Sequence, residues 1–514
     1  MKNKLYIDGK SLTLKSIDDF LRGDLTVDIS SEVAGKINAT RSFVDKKVAS
    51  DHPIYGLNTG FGRLAKKRIS IEKLDELQEN LIISHAVGVG RPLSEEISRL
   101  MLLLRTNVLA HSFSGIRLET LNLLIELINK NITPVIPSQG SVGASGDLAP
   151  LAHLALTLIG KGEVYHLGKI VPSADALSKE GLKPIRLKAK EGLSLINGTQ
   201  GMTAIGVLAI LNAIQLIKVS DIAAASSLEG DMGSLAPFDK RIHELRPHPG
   251  QIITAENIRK LTSGSKNLDS HKNCKRVQDP YSLRCVPQVH GATKDLFAYS
   301  KGVIERELVS CTDNPLVFVD DDEILSGGNF HGEPVAFAMD TLCIALSELG
   351  SISERRIALL NAPLEGEIPA MFLIEDAGLS SGMMIPHVVA ASLVSENKTL
   401  SNPSSVDSIP TSADQEDHVS MGMHSARKAL KVTENLKQIL AIELLAAAQA
   451  IDLNPKRNNL GSGTNEAYKK IRKYVSFAKV DREFRFDIAK IAGLIENNEI
   501  VKVVEERVGE LKTH

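Results

Sequence analysis

The feature that most constrains this fold is a run of about thirty positions, Gly198 to Glu229, that keeps apolar character on every helical face. A helix without a polar face cannot lie on a surface; it has to be surrounded. Its most apolar part, Gly201 to Ile217, falls short of a membrane-spanning length and carries Asn212 and Gln215, so it reads as a buried core helix. Helical patterns also cover SEEISRLMLLLRTNVLAHSFSG, RLETLNLLIELINKN and the segments 292–307, 336–360 and 415–451. Helices this long, apolar on several faces, predict a bundle whose outer faces pack against other subunits. The predicted class is mainly α. A smaller mixed α/β region, residues 1–200, precedes a long-helix bundle and oligomerisation region, residues 201–514.

Within the mixed region, KLYIDGKSLTL reads as a hairpin turning at Asp8-Gly9, and GEVYHLGKIVPSADAL as a second hairpin. A helix is predicted from a cap at Ser70 to the glycines after His85, and the stretch from Gly230 to Gln288 reads as loop-rich. The 60 basic and 62 acidic residues form no long block, which argues against nucleic acid or an anionic membrane as partner. The cysteines, Cys274, Cys285, Cys311 and Cys343, show neither a CxxC nor a zinc spacing. Four in a chain of 514 residues suggest a reducing compartment. The first residues, MKNKLYIDGKSL, lack a signal-length apolar core, so the expected location is the cytoplasm.

The most informative segment is Gln139-Gly140-Ser141-Val142-Gly143-Ala144-Ser145-Gly146-Asp147-Leu148-Ala149-Pro150. Small residues around Ser145 permit tight backbone geometry. There the Gly146 nitrogen can approach the Ala144 carbonyl carbon and close a five-membered ring. Loss of water, and of the Ser145 hydroxyl as a second water, leaves a methylidene group on an imidazolone. Protein side chains are nearly all nucleophiles, so chemistry that needs an electrophile requires such a device or a cofactor. Asp147 is placed to cap a helix through Leu151. Asn197-Gly198-Thr199-Gln200 and Ser412-Ala413-Asp414-Gln415 have capping-box spacing. Three helix N-termini converging on one site would favour anions and lower the pKa of a nearby tyrosine.

The string GSVGASGDLAPLAH resembles the methylidene-imidazolone motif of the aromatic amino-acid ammonia-lyase and aminomutase family, and the likeness extends over nearly the whole chain. It implies the long-helix architecture of the fumarases and aspartases. It also implies a prosthetic group made from Ala144, Ser145 and Gly146, with no metal and no diffusible cofactor. In Tyr55-Gly56-Leu57-Asn58-Thr59-Gly60-Phe61-Gly62 the resemblance makes Tyr55 the lid tyrosine that removes the β-proton. In Gln278-Asp279-Pro280-Tyr281-Ser282-Leu283-Arg284 it makes Arg284 the fork for the substrate carboxylate, with Gln278 and Tyr281 lining the pocket. Alone, such an arginine is more often a surface group. By the same match Asn197 contacts the prosthetic group or the amine, and Phe330 is an aromatic wall.

Two positions speak to substrate. Ser84-His85 and Gln415-Glu416-Asp417-His418-Val419-Ser420-Met421 resemble the histidine-specific members, with His85 bonding an imidazole ring and Glu416 pairing with the imidazole or the ammonium. The implied reaction is L-histidine to trans-urocanate plus ammonia, the first step of histidine degradation. A tyrosine ammonia-lyase or an aminomutase on the same scaffold is the nearest alternative. A non-catalytic helical assembly protein would be expected to have lost Tyr55, Ser145 or Arg284, and all three are present. The resemblance further implies a homotetramer with shared active sites, Tyr55 and Tyr281 coming from chains other than the one giving Ser145.

Overall fold

The apolar run forms the 31-residue helix Gln200–Gly230, most of it buried. Two more long helices, Glu333–Asn361 and Gly422–Leu453, and the 22-residue Val286–Glu307 share the bundle character. The computed structural model describes residues 3–23, 25–49, 53–270, 276–362, 370–454 and 457–514. The fold is mainly helical, with only small sheets of two or three strands among these residues. Gln200–Gly230 and Glu333–Asn361 are long and apolar enough to cross a membrane, yet both are mostly buried by protein, as core helices are. Among the described residues no disulfide is formed; Cys274 lies outside them.

The chain divides into two compact units. The first comprises residues 1–208, 302–340 and 403–427; the second comprises 209–301, 341–402 and 428–514. The break at 208 falls near the 200/201 boundary expected from sequence, but two later segments return to the first unit. Four of the five breaks fall inside the long helices, where no composition shift or linker marks them; the fifth, at 402/403, follows the helix Met384–Leu400.

Several local expectations change. Asn3–Tyr6 pairs with Leu25–Asp28 in parallel, so the first segment is not a hairpin. Asp8 Oδ1 accepts the amides of Lys10 and Ser11 instead of shaping a two-residue reversal. Thr13 and Ser16 then form a capping box for the intervening helix Leu14–Leu21. The second hairpin is present: Glu163–His166 pairs antiparallel with Lys169–Pro172 around Leu167 and Gly168, both at positive φ. The stretch from Gly230 to Gln288 contains the helix Pro249–Leu261. Its buried face carries Gln251, Thr254 and Asn257, so polar residues hide the hydrophobic period. Finally, Ser412, Ala413 and Asp414 are left-handed and open no helix; the helix expected from 415 starts at Gly422.

In the second unit the core is polar in places. The Arg356 guanidinium pairs with both oxygens of Glu443, at 2.5 and 3.0 Å, and neither side chain is exposed. Ser227 and Ser353 hydroxyls also donate to Glu443. Removing one partner strands the other charge in the core. Glu443→Ala should therefore cost about 3–5 kcal/mol in denaturant unfolding, with Arg356→Met/Glu443→Leu recovering much of it. A loss below about 1 kcal/mol for the single variant would contradict this picture.

Candidate active site

The site grows from one backbone contact in the first unit. Gly146 (φ +72°) forms a parallel bridge with Gly198, and the Asp147 amide donates to the Gly198 carbonyl at 2.7 Å. A Cβ on Gly146 would lie 2.1 Å from that carbonyl oxygen, so no other residue fits. Gly143 is similarly confined, at φ +71° with the Ser420 hydroxyl 2.3 Å from an added Cβ. Its carbonyl accepts from the Ser420 hydroxyl at 3.0 Å and the Gly332 amide at 3.1 Å. The Met421 amide donates to Val142 at 2.8 Å. Four helix N-termini therefore gather on loop 141–147: those of Leu148–Leu156, Gln200–Gly230, Glu333–Asn361 and Gly422–Leu453. Two were expected; the third expected, at 412, is not a helix start.

Asp147 occupies the cap position of Leu148–Leu156 without capping it. Its carboxylate instead accepts from the Met202 amide at 2.8 Å and the Ser141 hydroxyl at 2.7 Å, tying the loop to the start of Gln200–Gly230. The capping boxes are not formed either. The Asn197 amide donates to the Ser145 carbonyl at 2.9 Å, and Gln200 bonds Thr312 and Arg105.

Ser145 is half-buried, and its hydroxyl donates to Glu416 Oε1 at 2.6 Å. The other Glu416 oxygen accepts from Thr411 at 2.8 Å and Ser412 at 3.1 Å, so the carboxylate is aimed by its own loop. Both Tyr55 and His85 lie in the field of Glu416. Burial is the larger influence on each: it pushes the Tyr55 phenol up and the His85 imidazole down. The Tyr55 phenol is thus raised where the sequence suggested a lowering: desolvation is the largest cause and the Glu416 carboxylate adds to it, against the Gly62 hydrogen bond. Tyr55 and Ser145 both belong to the first unit, and Tyr55 feels the Glu416 charge that holds Ser145. Its loop is packed rather than loose: Leu57 is buried with Phe43, Val44 and Val317, and Gly62 donates to the Tyr55 hydroxyl at 3.4 Å.

His85 ends the helix Leu74–His85, with the Ser84 hydroxyl 3.1 Å from Nδ1. Phe330 is half-buried, two residues before the Gly332 amide that bonds Gly143. Gln415 is exposed, on the turn before Glu416. Gln278, Tyr281 and Arg284 belong to the second unit. There Tyr281–Arg284 forms one helical turn, with Asp279 just before it accepting from the Ser234 amide at 2.6 Å and from Arg276 at 3.1 Å. The Arg284 guanidinium lies 4.7 Å from the Tyr281 ring centre. Its Nε is buried without a hydrogen-bond partner among the described residues, as a group kept for an anion would be.

Thr411 and Arg105 were not singled out from the sequence, and Ser412, expected to cap a helix, holds Glu416 instead. Arg105 is fully buried and donates to the carbonyls of Ser194 at 3.0 Å and Asn197 at 3.2 Å, fixing the residue that holds Ser145. The signal was a charge inside the apolar stretch LMLLLRTNVLA.

Burial pushes the Asp147 carboxyl up to about 6 despite three donors. Between the ordinary value of 3.8 and about 6, the folded chain holds a proton that the unfolded chain releases. This group's contribution to stability therefore falls as pH rises through that window, by about 3 kcal/mol. Asp147→Asn should flatten this part of the pH dependence of the denaturation midpoint; parallel curves for both proteins would rule the assignment out.

Residues 12–473 match the family model of the aromatic amino acid lyases. The chain is 49% identical to the histidine ammonia-lyase of Myxococcus xanthus, over 98% of each chain. The structure of histidine ammonia-lyase from Trypanosoma cruzi superposes with a TM-score of 0.91 at 42% identity, covering 99% of this chain and 96% of that one. The tyrosine aminomutase of Streptomyces globisporus does so with 0.92 at 38% identity, covering 99% and 100%. With its fold, its glycine-locked loop and these relatives in agreement, the chain belongs to the aromatic amino acid lyase family.

Proposed function

We propose that this protein eliminates ammonia from L-histidine to give trans-urocanate, using a methylidene-imidazolone made from Ala144, Ser145 and Gly146. The observation that carries the reading is the 2.6 Å bond between Ser145 and Glu416, which sets a carboxylate at the electrophile triplet. The histidine ammonia-lyase relatives support the substrate. The residues fit the prosthetic group: position 146 admits only glycine, Ala144 is buried, and Asn197 steadies the Ser145 carbonyl. Once formed, that group supplies an electrophile that makes the substrate's nitrogen a better leaving group.

The remaining roles belong to side chains. Arg284 holds the substrate carboxylate with two parallel hydrogen bonds, and Gln278 and Tyr281 line that end. His85 bonds the imidazole ring, Phe330 walls it, and Gln415 flanks Glu416. Glu416 pairs with the imidazole or the ammonium of the substrate. That pairing offsets the negative field on Tyr55, which burial and Glu416 otherwise keep protonated, and lets the phenol oxygen take the β-proton. Holding both ends of the substrate converts a collision into an oriented event. The protein acts as a cytoplasmic homotetramer with sites shared between chains, and Tyr281 and Arg284 arrive from a copy other than the one giving Ser145.

The test is near-ultraviolet absorbance with L-histidine, L-tyrosine and L-phenylalanine. A conjugated-acid band should rise with histidine alone, vanish in Ser145→Ala, and slow at least about 100-fold in Glu416→Gln. A response to tyrosine that survives Glu416→Gln would overturn the substrate assignment and favour a tyrosine lyase.

A further inference from the structure

His153 sits on the helix Leu148–Leu156, half-buried, with no part in the roles above. It lies about two turns beyond Gly146. Its Nε2 receives the backbone N–H of Gly88 at 3.1 Å. A backbone amide can only donate, so this ring nitrogen presents a lone pair and the imidazole is neutral. Burial lowers its pKa from the ordinary 6.5, and no charged side chain among the described residues contributes.

Gly88 stands three residues beyond His85. Ahead of it the turn is closed by Ala86 N–H to Ile82 (3.1 Å) and Val87 N–H to His85 (2.9 Å). Behind it Val89–Pro92 pairs antiparallel with Pro137–Gln139, the strand that leads into the electrophile loop. An added Cβ on Gly88 would come within 3.3 Å of Gln139, Pro137 and the His153 ring. The segment behind His85 is thus held between the strand entering that loop and the helix leaving it.

We propose that His153 is a positioning residue: by accepting the Gly88 amide it fixes the turn behind His85, and by gaining a proton it lets that turn go. Protonated, Nε2 becomes a donor facing a donor, and the bond is lost. His85 stands three residues before Gly88 on this path, itself in the field of Glu416. The effect on catalysis rests on the reading of His85 as the group that bonds the substrate ring; the anchor itself does not.

The full-length protein separates the two. His153→Gln keeps an acceptor that does not titrate, and His153→Leu removes it. Amide exchange of residues 86–92, corrected for intrinsic rate, should show Gly88 protected in the parent at about pH 8 and exposed at about pH 5. His153→Gln should keep protection at both pH values. His153→Leu should lose it and raise KM for L-histidine about five-fold with kcat little changed. Should His153→Leu fail to fold, the comparison of the parent with His153→Gln decides alone. Protection that is unchanged with pH in the parent, or that falls in parallel in His153→Gln, overturns the proposal. Lost protection with an unchanged KM upholds the anchor and sinks the role given to His85.

Discussion

Two glycine backbones, at 146 and 198, meet so closely that a single methyl group at 146 would overlap a carbonyl oxygen. The arrangement of the first unit follows from that approach. It sets loop 141–147 against the start of Gln200–Gly230, and the buried Asp147 carboxylate secures it by accepting from Ser141 on one side and Met202 on the other. Gly332, Ser420 and Met421 add bonds from two further helix starts. A loop pinned from so many directions keeps the left-handed turns at Gly143 and Gly146 in one geometry.

Around this loop the charged groups are arranged by burial as much as by pairing. Glu416 is aimed at Ser145 by two hydroxyls of its own turn, and it is the common charge felt by Tyr55 and His85. Arg105, fully buried, holds the Asn197 carbonyl. In one chain these groups favour a protonated Tyr55 and a neutral His85.

Period and loop composition made the bundle and the tight small-residue loop 141–147 legible. Long helices announce themselves because their apolar positions repeat over many turns, and the hairpin at 163–172 because Leu167-Gly168 suits a tight reversal. Hydrogen bonds between residues far apart in sequence were not legible. Asp8-Gly9 looked like a turn, yet Gly9 donates to Asn107, and the chain goes on to a helix and a parallel strand. Ser412-Ala413-Asp414-Gln415 had the spacing of a cap, but its first three residues turn left-handed and the Ser412 hydroxyl serves Glu416 instead. The pKa of Tyr55 went the other way because sequence shows helix starts and not desolvation. Asp147 and Asn197 were placed in the right segments and given the wrong partners, each bonding across the loop rather than along its own helix.

We propose that this backbone geometry makes an electrophile out of three ordinary residues. Mass spectrometry of the peptide spanning Ala144 to Gly146, taken from protein purified without substrate, tests it most directly. The account predicts a peptide lighter by two water molecules in the parent. It also predicts the full, unmodified mass in Gly146→Ala, where the added methyl group meets the Gly198 carbonyl. An unmodified parent peptide, or the same loss of water in Gly146→Ala, would contradict it.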